Sequence, residues 1–311
     1  MVPRPNLPPI RGRARRLAEP AMTGGGHRLP VSAALTVIMM ACLTGVACSG
    51  GTGEDTLERV RAAGVLRVAL TQANPPWNFL DRDGRPAGYD VDVAREVARR
   101  VKAARVEFVG SDYASFIGGI RADRFDIVIS GQTITARRGE QVGFSRPYAV
   151  NAVSIFVRRG DTAIHGLSDL AGKRIAVSEG TVEAEFARAR VPGADLRIYK
   201  NATLGLTDLS WGRADAALVS RFLGLHLTAE KGLAIRPAGP ILRTDALGMS
   251  FRKESTAFKR EVDGAVGGMI ADGTLSSISR RWFDGLDMAA ELRGLAPKLG
   301  GTGTQTTGKE E

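Results

Sequence analysis

Cysteine is almost absent from this chain of 311 residues, and both cysteines, Cys42 and Cys48, lie near the amino terminus. The rest of the sequence therefore has no disulfide framework, no cysteine-based metal site and no thiol nucleophile. Histidine is nearly as rare, and the three histidines are isolated, without the spacing of a metal site or a catalytic triad. We therefore expect no bound metal and no other cofactor.

Aromatic residues make up only 6% of the chain, and the apolar residues are mostly Ala, Val, Leu and Ile. This composition favours an α/β protein over a β-sandwich. A basic block is also lacking in the body of the chain. The net charge is +10, but six arginines and one glutamate in residues 1–47 account for half of it. Acids and bases are interspersed in the remainder, which argues against nucleic acid as a partner.

Long hydrophobic runs are missing too. The apolar run of residues 31–41 is too short for a comfortable transmembrane helix and is typical of an export signal. The sequence GVAC that ends at Cys48 is similar to a bacterial lipobox, so we expect a lipid anchor there that holds the exported protein at the cell membrane. Gly45 departs from the usual aliphatic residue. Cys42 is an alternative lipidation site, a plain secretory signal is another interpretation, and Met22 is an alternative start.

Strand and helix patterns alternate along the rest of the chain, in two arrays of similar size that meet near residue 149. This alternation favours mainly parallel sheets covered by helices. The predicted strands are 65–70, 105–109, 126–129, 152–157, 174–177, 196–199, 216–219 and 246–251. The predicted helices include 57–61, 88–101, 113–121 and 204–211, with two more divided at Asp272-Gly273. The Gly- and Thr-rich end of the chain is low-complexity, and we assign residues 286–311 to a tail.

Short motifs occur along both arrays in a fixed order. They are LRVA (66–69), PPWNF (75–79), GYDVDVA (88–94), DIVISGQTIT (126–135) with Arg138, FSRPY (144–148), LSDLAGK (167–173), GT (180–181), GRADA (212–216) and ADGTL (271–275). In this order and spacing, the chain from residue 57 to about 285 resembles the bacterial extracellular solute-binding proteins, family 3. Proteins of this family serve ABC importers of polar amino acids.

The resemblance implies an α/β fold of the periplasmic-binding-protein type II-like class, in which two α/β lobes are joined by hinge strands and the ligand cleft lies between them. Open α/β sheets bind ligands at the carboxyl ends of their strands in any case. The implied organisation is a signal peptide (1–47), a linker (48–56), a first lobe (57–149 and 243–285), a second lobe (150–242) and the tail (286–311).

The resemblance also assigns candidate ligand contacts. Arg138 matches the arginine that takes the ligand carboxylate, a task that suits a planar, permanently charged guanidinium; Arg137 stands where the family has glutamate, so spacing alone separates the two arginines. The other implied contacts are Ser130, Gly131, Thr133, Tyr113, Asn74 and Trp77 in the first lobe, and Thr181, Val182 and Ser220 in the second. Thr181 and Val182 would offer backbone amides at a helix start.

One departure concerns the ligand's ammonium. The family has a carboxylate at the position of Ser220, and an enclosed ammonium without a charged partner is costly to desolvate. Either another acid, with Glu179 and Glu183 as the candidates, supplies the charge, or the ligand is not a standard α-amino acid. Thr71 and Asn74 also depart from family preferences for an acidic and an aromatic residue.

Two classes of function follow. The first is a monomeric, non-enzymatic receptor that closes on a small polar solute, an amino acid or related carboxylate, and presents it to an ABC permease. The second is an enzyme on the same fold, similar to cyclohexadienyl dehydratase. Such an enzyme needs a general acid or base in the cleft, and Glu179 and Glu183 are again the candidates.

Overall fold

The computed structural model describes residues 55–299. The predicted signal, most of the linker, and the candidate residues Met22, Cys42 and Cys48 lie outside the described residues. The last two residues of the predicted linker belong to the fold, because Asp55 caps a helix that begins at Thr56. Between residues 55 and 299, no helix combines the length and the apolar character needed to span a bilayer.

Strands and helices alternate through this region. The strands are β1 (Val65–Leu70), β2 (Ala73–Asn74), β3 (Asn78–Leu80), β4 (Pro86–Ala87), β5 (Arg105–Gly110), β6 (Ile127–Val128), β7 (Gly143–Phe144), β8 (Ala149–Arg158), β9 (Arg174–Ser178), β10 (Asp195–Tyr199), β11 (Ala216–Ser220), β12 (Ile235–Leu247) and β13 (Ser250–Phe251). The helices are α1 (Thr56–Ala63), α2 (Tyr89–Arg100), α3 (Phe116–Arg121), α4 (Ala136–Gly139), α5 (Val182–Arg190), α6 (Ala202–Ser210), α7 (Arg221–Glu230), α8 (Thr256–Ala271), α9 (Thr274–Trp282) and α10 (Met288–Leu299). Two 3₁₀ turns lie at Tyr113–Ser115 and Leu167–Leu170.

The first lobe is built on a five-stranded sheet in the order β5-β1-β6-β13-β7, beside a small sheet β2-β3-β4. Strand β1 pairs in parallel with β5 and β6, whereas β13 returns antiparallel. Alternate residues of a strand face opposite sides. Leu66 and Val68 therefore join the core under α2, α8 and α9, while Ala69 joins the one under α3.

The second lobe repeats this arrangement with a sheet in the order β10-β9-β11-β8-β12. Ile155 and Val157 of β8 face one core, and Phe156 between them faces the other. The long strands β8 and β12 pair antiparallel from Leu247↔Ala149 onward, at the junction of the two lobes. The chain thus forms two α/β lobes joined by hinge strands, which confirms the predicted fold class.

An aspartate stabilises the first parallel strand of each lobe, and it is buried in the first lobe and half-buried in the second. Asp126 accepts hydrogen bonds from the Arg67 backbone N–H at 2.8 Å and from its guanidinium at 2.7 Å. Asp215 makes the same contacts with Arg174 at 3.0 and 2.7 Å. The Arg174 guanidinium lowers the pKa of Asp215 to about 2. The motifs RFD and RAD therefore mark equivalent positions in the two sheets.

The prediction of a single strand over residues 246–251 is wrong. Strand β12 ends at Leu247 and β13 begins at Ser250, so the chain leaves one sheet and enters the other in between. At the crossing, the Gly248 N–H donates to the Gln132 carbonyl at 2.9 Å. A Cβ on Gly248 would lie only 2.7 Å from the Ile134 side chain, so the close approach requires glycine.

The assignment of residues 286–299 to a tail is also wrong. Asp287 accepts hydrogen bonds from the Ala289 and Ala290 N–H groups at 3.0 and 3.1 Å and starts helix α10. Met288 is fully buried in the core of the first lobe, with Leu292 packed against it. The helical spacing of these apolar residues was the available signal, but the glycine and proline within the helix obscured it.

Candidate functional site

A cavity lies between the two lobes and has residues of both in its walls. About 690 Å³ of space lies among its lining residues, and this figure includes solvent at the cavity opening. Seven of the ten predicted ligand contacts line it: Asn74, Trp77, Tyr113, Gly131, Thr133, Thr181 and Ser220.

The first-lobe wall is the loop that follows β6. Gly131 has a left-handed backbone (φ +59°), which turns the chain at the strand end. Its N–H donates to the Tyr148 hydroxyl at 3.0 Å. Thr133 forms an isolated antiparallel bridge with Leu247 at the end of β12. The loop is therefore tied to the hinge as well as to its own lobe.

Ser130 does not line the cavity, and its predicted ligand contact stays a prediction. Its side chain is buried at 1% exposure. The hydroxyl oxygen accepts hydrogen bonds from the Thr71 N–H and from Asn78 Nδ2, both at 3.2 Å. Ser130 thus supports the loop from behind, because its hydroxyl points into the lobe rather than toward the cavity.

A buried carboxyl group supports the same loop. Asp90 accepts hydrogen bonds from Asn78 Nδ2 and from the Tyr148 hydroxyl, both at 2.7 Å. Burial raises the pKa of Asp90 to about 7, although these two hydrogen bonds favour the ionised form. Since Tyr148 also accepts from Gly131, the network positions a cavity-lining backbone group.

Arg138 is not among the cavity-lining residues but contacts two of them, Thr133 and Tyr113. Its predicted contact with the ligand carboxylate stays a prediction. Arg138 is 7% exposed. Nη1 donates to the Thr133 carbonyl at 2.8 Å in the first lobe, and Nη2 donates to the Gly180 carbonyl at 2.9 Å in the second. Its guanidinium carbon lies 5.6 Å from the centre of the Tyr113 ring. Arg138 therefore bridges the two lobes beside two cavity-lining residues.

Arg137, the alternative to Arg138, occupies a different environment. Its side chain is 77% exposed and pairs with Glu185 at 2.9 Å. Both arginines lie on the short helix α4, whose N-cap is Thr135. The structure separates them by burial, a distinction that spacing alone could not supply.

The second-lobe wall is the start of helix α5. Thr181 caps it, with Oγ1 accepting from the Ala184 N–H at 3.3 Å. The Val182 side chain is buried and does not line the cavity. Its predicted role concerns the backbone amide at the helix start and stays a prediction. Glu183 does line it, whereas Glu179 is exposed and lies outside the wall. Burial raises the pKa of Glu183, and the charge of Asp245 raises it further.

Several cavity residues escaped the sequence analysis. They are Asn151, Ser178, Lys200, Asn201, Leu218 and Leu247. Asn151 had a usable signal, since it is a polar side chain within the buried strand β8. Ser178 also had one, because it ends a parallel strand, where α/β sheets bind ligands.

The two lobes touch on more than one side of the cavity. Thr203 Oγ1 of the second lobe donates to the Ala73 carbonyl at 2.7 Å. Lys200 pairs with Asp112 at 3.2 Å. The rings of Trp77 and Phe222 meet at 5.8 Å. Together with the Arg138 bridge, these contacts describe a closed arrangement of the lobes.

Known proteins share this architecture. The L-cystine-binding protein TcyJ of Escherichia coli (strain K12) is 29% identical over 252 residues, which cover 81% of this chain and 94% of TcyJ. An ancestral arginine-binding protein bound to arginine superposes with a TM-score of 0.67 at 29% identity, covering 71% of this chain and 98% of its own. An ancestral amino acid-binding protein, a precursor of cyclohexadienyl dehydratase, has a TM-score of 0.68 at 28% identity, with coverages of 74% and 99%.

The family model agrees with these likenesses. It describes the bacterial extracellular solute-binding proteins, family 3, and matches residues 66–285, which are most of the chain and run from β1 to the end of α9. The two lobes, their hinge strands and the cavity between them supply the architecture that such binding requires. This chain therefore belongs to the bacterial extracellular solute-binding proteins, family 3.

Proposed function

We propose that this protein captures an amino acid or a related small carboxylate outside the cytoplasm and delivers it to an ABC importer. The observation that carries the proposal is the cavity with walls from both lobes, at whose edge Arg138 contacts each lobe. The names of the relatives, which bind cystine and arginine, support an amino acid as the solute.

Arg138 is proposed to take the ligand carboxylate. A guanidinium has five N–H donors, and the two contacts with Thr133 and Gly180 use only part of them. Its neighbours Thr133 and Tyr113 line the cavity, so a small movement of the side chain would bring it to a bound carboxylate. Burial strengthens such a charge-assisted pair, because water competes less.

Binding is proposed to act through lobe closure. A ligand held by Gly131 and Thr133 on one side and by Thr181 on the other has contacts with both walls only when the lobes are closed. It would therefore shift the population toward the closed form by its differential affinity. The closed form would then be the one that the permease recognises.

We expect Arg138→Ala to weaken amino acid binding about 100-fold or more, because two charge-assisted hydrogen bonds are lost. Isothermal titration with the standard L-amino acids and L-cystine measures this, and the carboxamide of the tightest binder serves as a second probe. Wild type should discriminate strongly between acid and amide, and the variant should not.

Arg137→Ala is the matched control on the same helix. Its exposed pair with Glu185 is worth little, so the affinity should stay within about threefold of wild type. Equal losses in the two variants, or an Arg138→Ala protein that still prefers the acid to the amide, would remove Arg138 from the carboxylate site.

An enzyme is the second candidate. Glu183 is a cavity-lining carboxyl group whose pKa burial raises, as in a general acid. One structural neighbour is a precursor of a dehydratase. We keep the receptor as the proposed function. If the wild type turned over prephenate or arogenate and Glu183→Gln did not, the protein would instead be an enzyme.

We also propose that Cys48 carries the lipid that holds the protein at the cell membrane. The expected result is incorporation of a labelled fatty acid into the wild type and its loss in Cys48→Ala, with the protein released into the soluble fraction. Cys42→Ala should keep the label. Label that persists in Cys48→Ala and disappears in Cys42→Ala would move the anchor to the other cysteine.

A further inference from the structure

Asp90 does not line the cavity, but two hydrogen-bonded arms connect its carboxyl group to the cavity wall. It lies in the first turn of α2 and is fully buried. In the first arm, Asp90 Oδ1 accepts from the Tyr148 hydroxyl at 2.7 Å, and that hydroxyl accepts from the Gly131 N–H at 3.0 Å. Gly131 lines the cavity, so a single side chain separates the carboxyl group from the wall.

The second arm runs through Asn78. Its Nδ2 donates to Asp90 Oδ2 at 2.7 Å. Its Oδ1 accepts from the Thr71 hydroxyl at 2.7 Å and from the Gln72 N–H at 3.0 Å. Thr71 follows β1 and lines the cavity, as Gly131 does after β6. The supports of two separate wall segments therefore meet at Asp90.

The donors and acceptors of both arms have a fixed direction. A backbone N–H only donates, so Gln72 turns the oxygen of Asn78 toward itself and the nitrogen toward Asp90. In the same way, the Gly131 N–H makes the Tyr148 hydroxyl an acceptor, which leaves the hydroxyl hydrogen for Asp90. Both carboxyl oxygens thus face a donor, and this arrangement matches the ionised carboxylate, which only accepts.

A proton on Asp90 would disturb this arrangement. The carboxylic acid is itself a donor, and the Asn78 amide nitrogen cannot accept its hydrogen. The Tyr148 hydroxyl can accept it only by turning its own hydrogen away from Asp90. Either the acid hydrogen or the hydroxyl hydrogen then lacks an acceptor in a buried place, which is destabilising. The ionised form is therefore the one that holds both arms.

Asp90 also titrates near neutral pH. Burial raises its pKa to about 7, although the two hydrogen bonds and the position at a helix start favour the ionised form. The titratable groups that face it are Tyr89 beside it on α2 and Tyr148 directly before β8. Burial raises the pKa of both tyrosines well above its ordinary value, so they stay neutral.

Other charges near α2 have partners of their own. The charged side chains that connect α2 with α8 and α9 pair with one another: Asp272 with Arg100, and Arg281 with Asp92. Asn78, which reaches Asp90 from β3, does not titrate. Asp90 is therefore the member of this network that changes its charge near neutral pH.

We propose that Asp90 positions the cavity wall in its ionised form, so that binding of the solute is coupled to the release of a proton from this carboxyl group to the solvent. A solute that prefers the wall with Gly131 and Thr71 held in place shifts the population toward ionised Asp90. Affinity then falls as the pH drops below about 7. The inference rests on the proposed function and adds its regulation: capture is tight at neutral and higher pH and weak at acidic pH.

Calorimetry on the purified full-length chain tests this coupling. The probes are the standard L-amino acids and L-cystine, and the tightest of them is titrated at pH 6, 7 and 8. Each titration is repeated in two buffers with different enthalpies of ionisation, which gives the number of protons released. The wild type should bind roughly 5- to 10-fold more weakly at pH 6 than at pH 8 and should release most of a proton at pH 6.

Asp90→Asn keeps the shape of the side chain but cannot ionise, and its amide nitrogen must face one of the two donors. This variant should bind the probe at pH 8 about as weakly as the wild type does at pH 6. Its affinity should change little between these pH values, and binding should release no proton from this position.

Asp92→Asn is the matched control on the same helix. Asp92 accepts from Trp282 Nε1 at 2.8 Å and pairs with Arg281 at 3.1 Å, and neither partner lines the cavity. This variant should keep the pH profile of the wild type. Glu183, a cavity-lining carboxyl group whose pKa burial raises, is the competing source of a pH effect. Whatever its affinity, Glu183→Gln should still bind more weakly at pH 6 than at pH 8.

Contrary results separate the coupling from the receptor function. If the wild type binds equally well at pH 6 and pH 8, or if the pH dependence persists in Asp90→Asn, the role of Asp90 is wrong while the receptor function stands. Loss of the pH dependence in Glu183→Gln would move the titrating group to Glu183. If no probe binds the wild type at any of these pH values, the proposed function fails, and the coupling fails with it.

Discussion

Trp77→Ala is expected to lower the free energy of unfolding by about 3–5 kcal/mol, the range for removing a large buried aromatic side chain. Trp77 is 1% exposed. Its ring meets Tyr89 at 5.6 Å and Phe283 at 4.8 Å within the first lobe, and Phe222 of the second lobe at 5.8 Å. The substitution therefore opens a cavity in one core and also removes a contact between the lobes.

Chemical denaturation followed by circular dichroism measures this loss, and a melting temperature lower by roughly 10 °C should accompany it. Trp211→Ala is the matched control. Trp211 is 65% exposed and contacts Arg213 at 4.8 Å, so its removal should change stability by less than about 1 kcal/mol. Similar losses in the two variants would show that the aromatic cluster around Trp77 contributes little.

Asp90→Asn is expected to change how stability depends on pH. The folded-state pKa of Asp90 is about 7, well above the ordinary value of 3.8. The folded protein therefore holds this proton to a higher pH than the unfolded chain does. The contribution of Asp90 is fully present below about pH 4 and is lost as the pH rises through about 7.

The stability of the variant minus that of the wild type should thus increase between pH 4 and pH 8, by on the order of 4 kcal/mol. Urea denaturation from pH 4 to pH 8 measures the free energy of unfolding of both proteins. The other carboxyl groups contribute equally to both, so their contributions cancel when one free energy is subtracted from the other. Tyr148→Phe removes a hydrogen bond that favours ionised Asp90, so its transition should move to higher pH. A difference that stays flat with pH would mean that Asp90 is ionised in the folded protein at neutral pH.

The periodicity of apolar residues was enough to predict most of the strands and helices of this protein. The apolar runs at β1 and β5 and the helical spacing of α2 are visible in short windows, because the periodicity of a strand or helix depends on neighbouring residues. The order of the motifs along the chain then indicated the family, which the comparisons confirm. Helix α10 was not predicted. Its apolar residues are buried by packing on the core of the first lobe, and a short sequence window does not show that packing.

The direction in which each side chain of the candidate site points, by contrast, could be seen only in the folded lobes. Ser130 and Thr133 stand three residues apart in one polar loop, yet only Thr133 lines the cavity. Arg137 and Arg138 are adjacent, yet only Arg138 is buried between carbonyls of both lobes. Sequence spacing assigns residue types to a loop, but burial and hydrogen-bond partners come from segments far away in the chain.

By itself, the sequence determined two successive α/β arrays, because hydrophobic periodicity and turn residues act locally. The order of its motifs, through the family resemblance, implied the two-lobe fold and the loops that meet at the cleft. Only the tertiary structure decided which polar side chains meet at the hinge. Asn151 and Asp245 meet through the pairing of β8 with β12, and Ser220 joins them through β11. Such contacts between distant segments exist only once the strands are in register, and they place Asn151, Asp245 and Ser220 on one face of the second-lobe sheet.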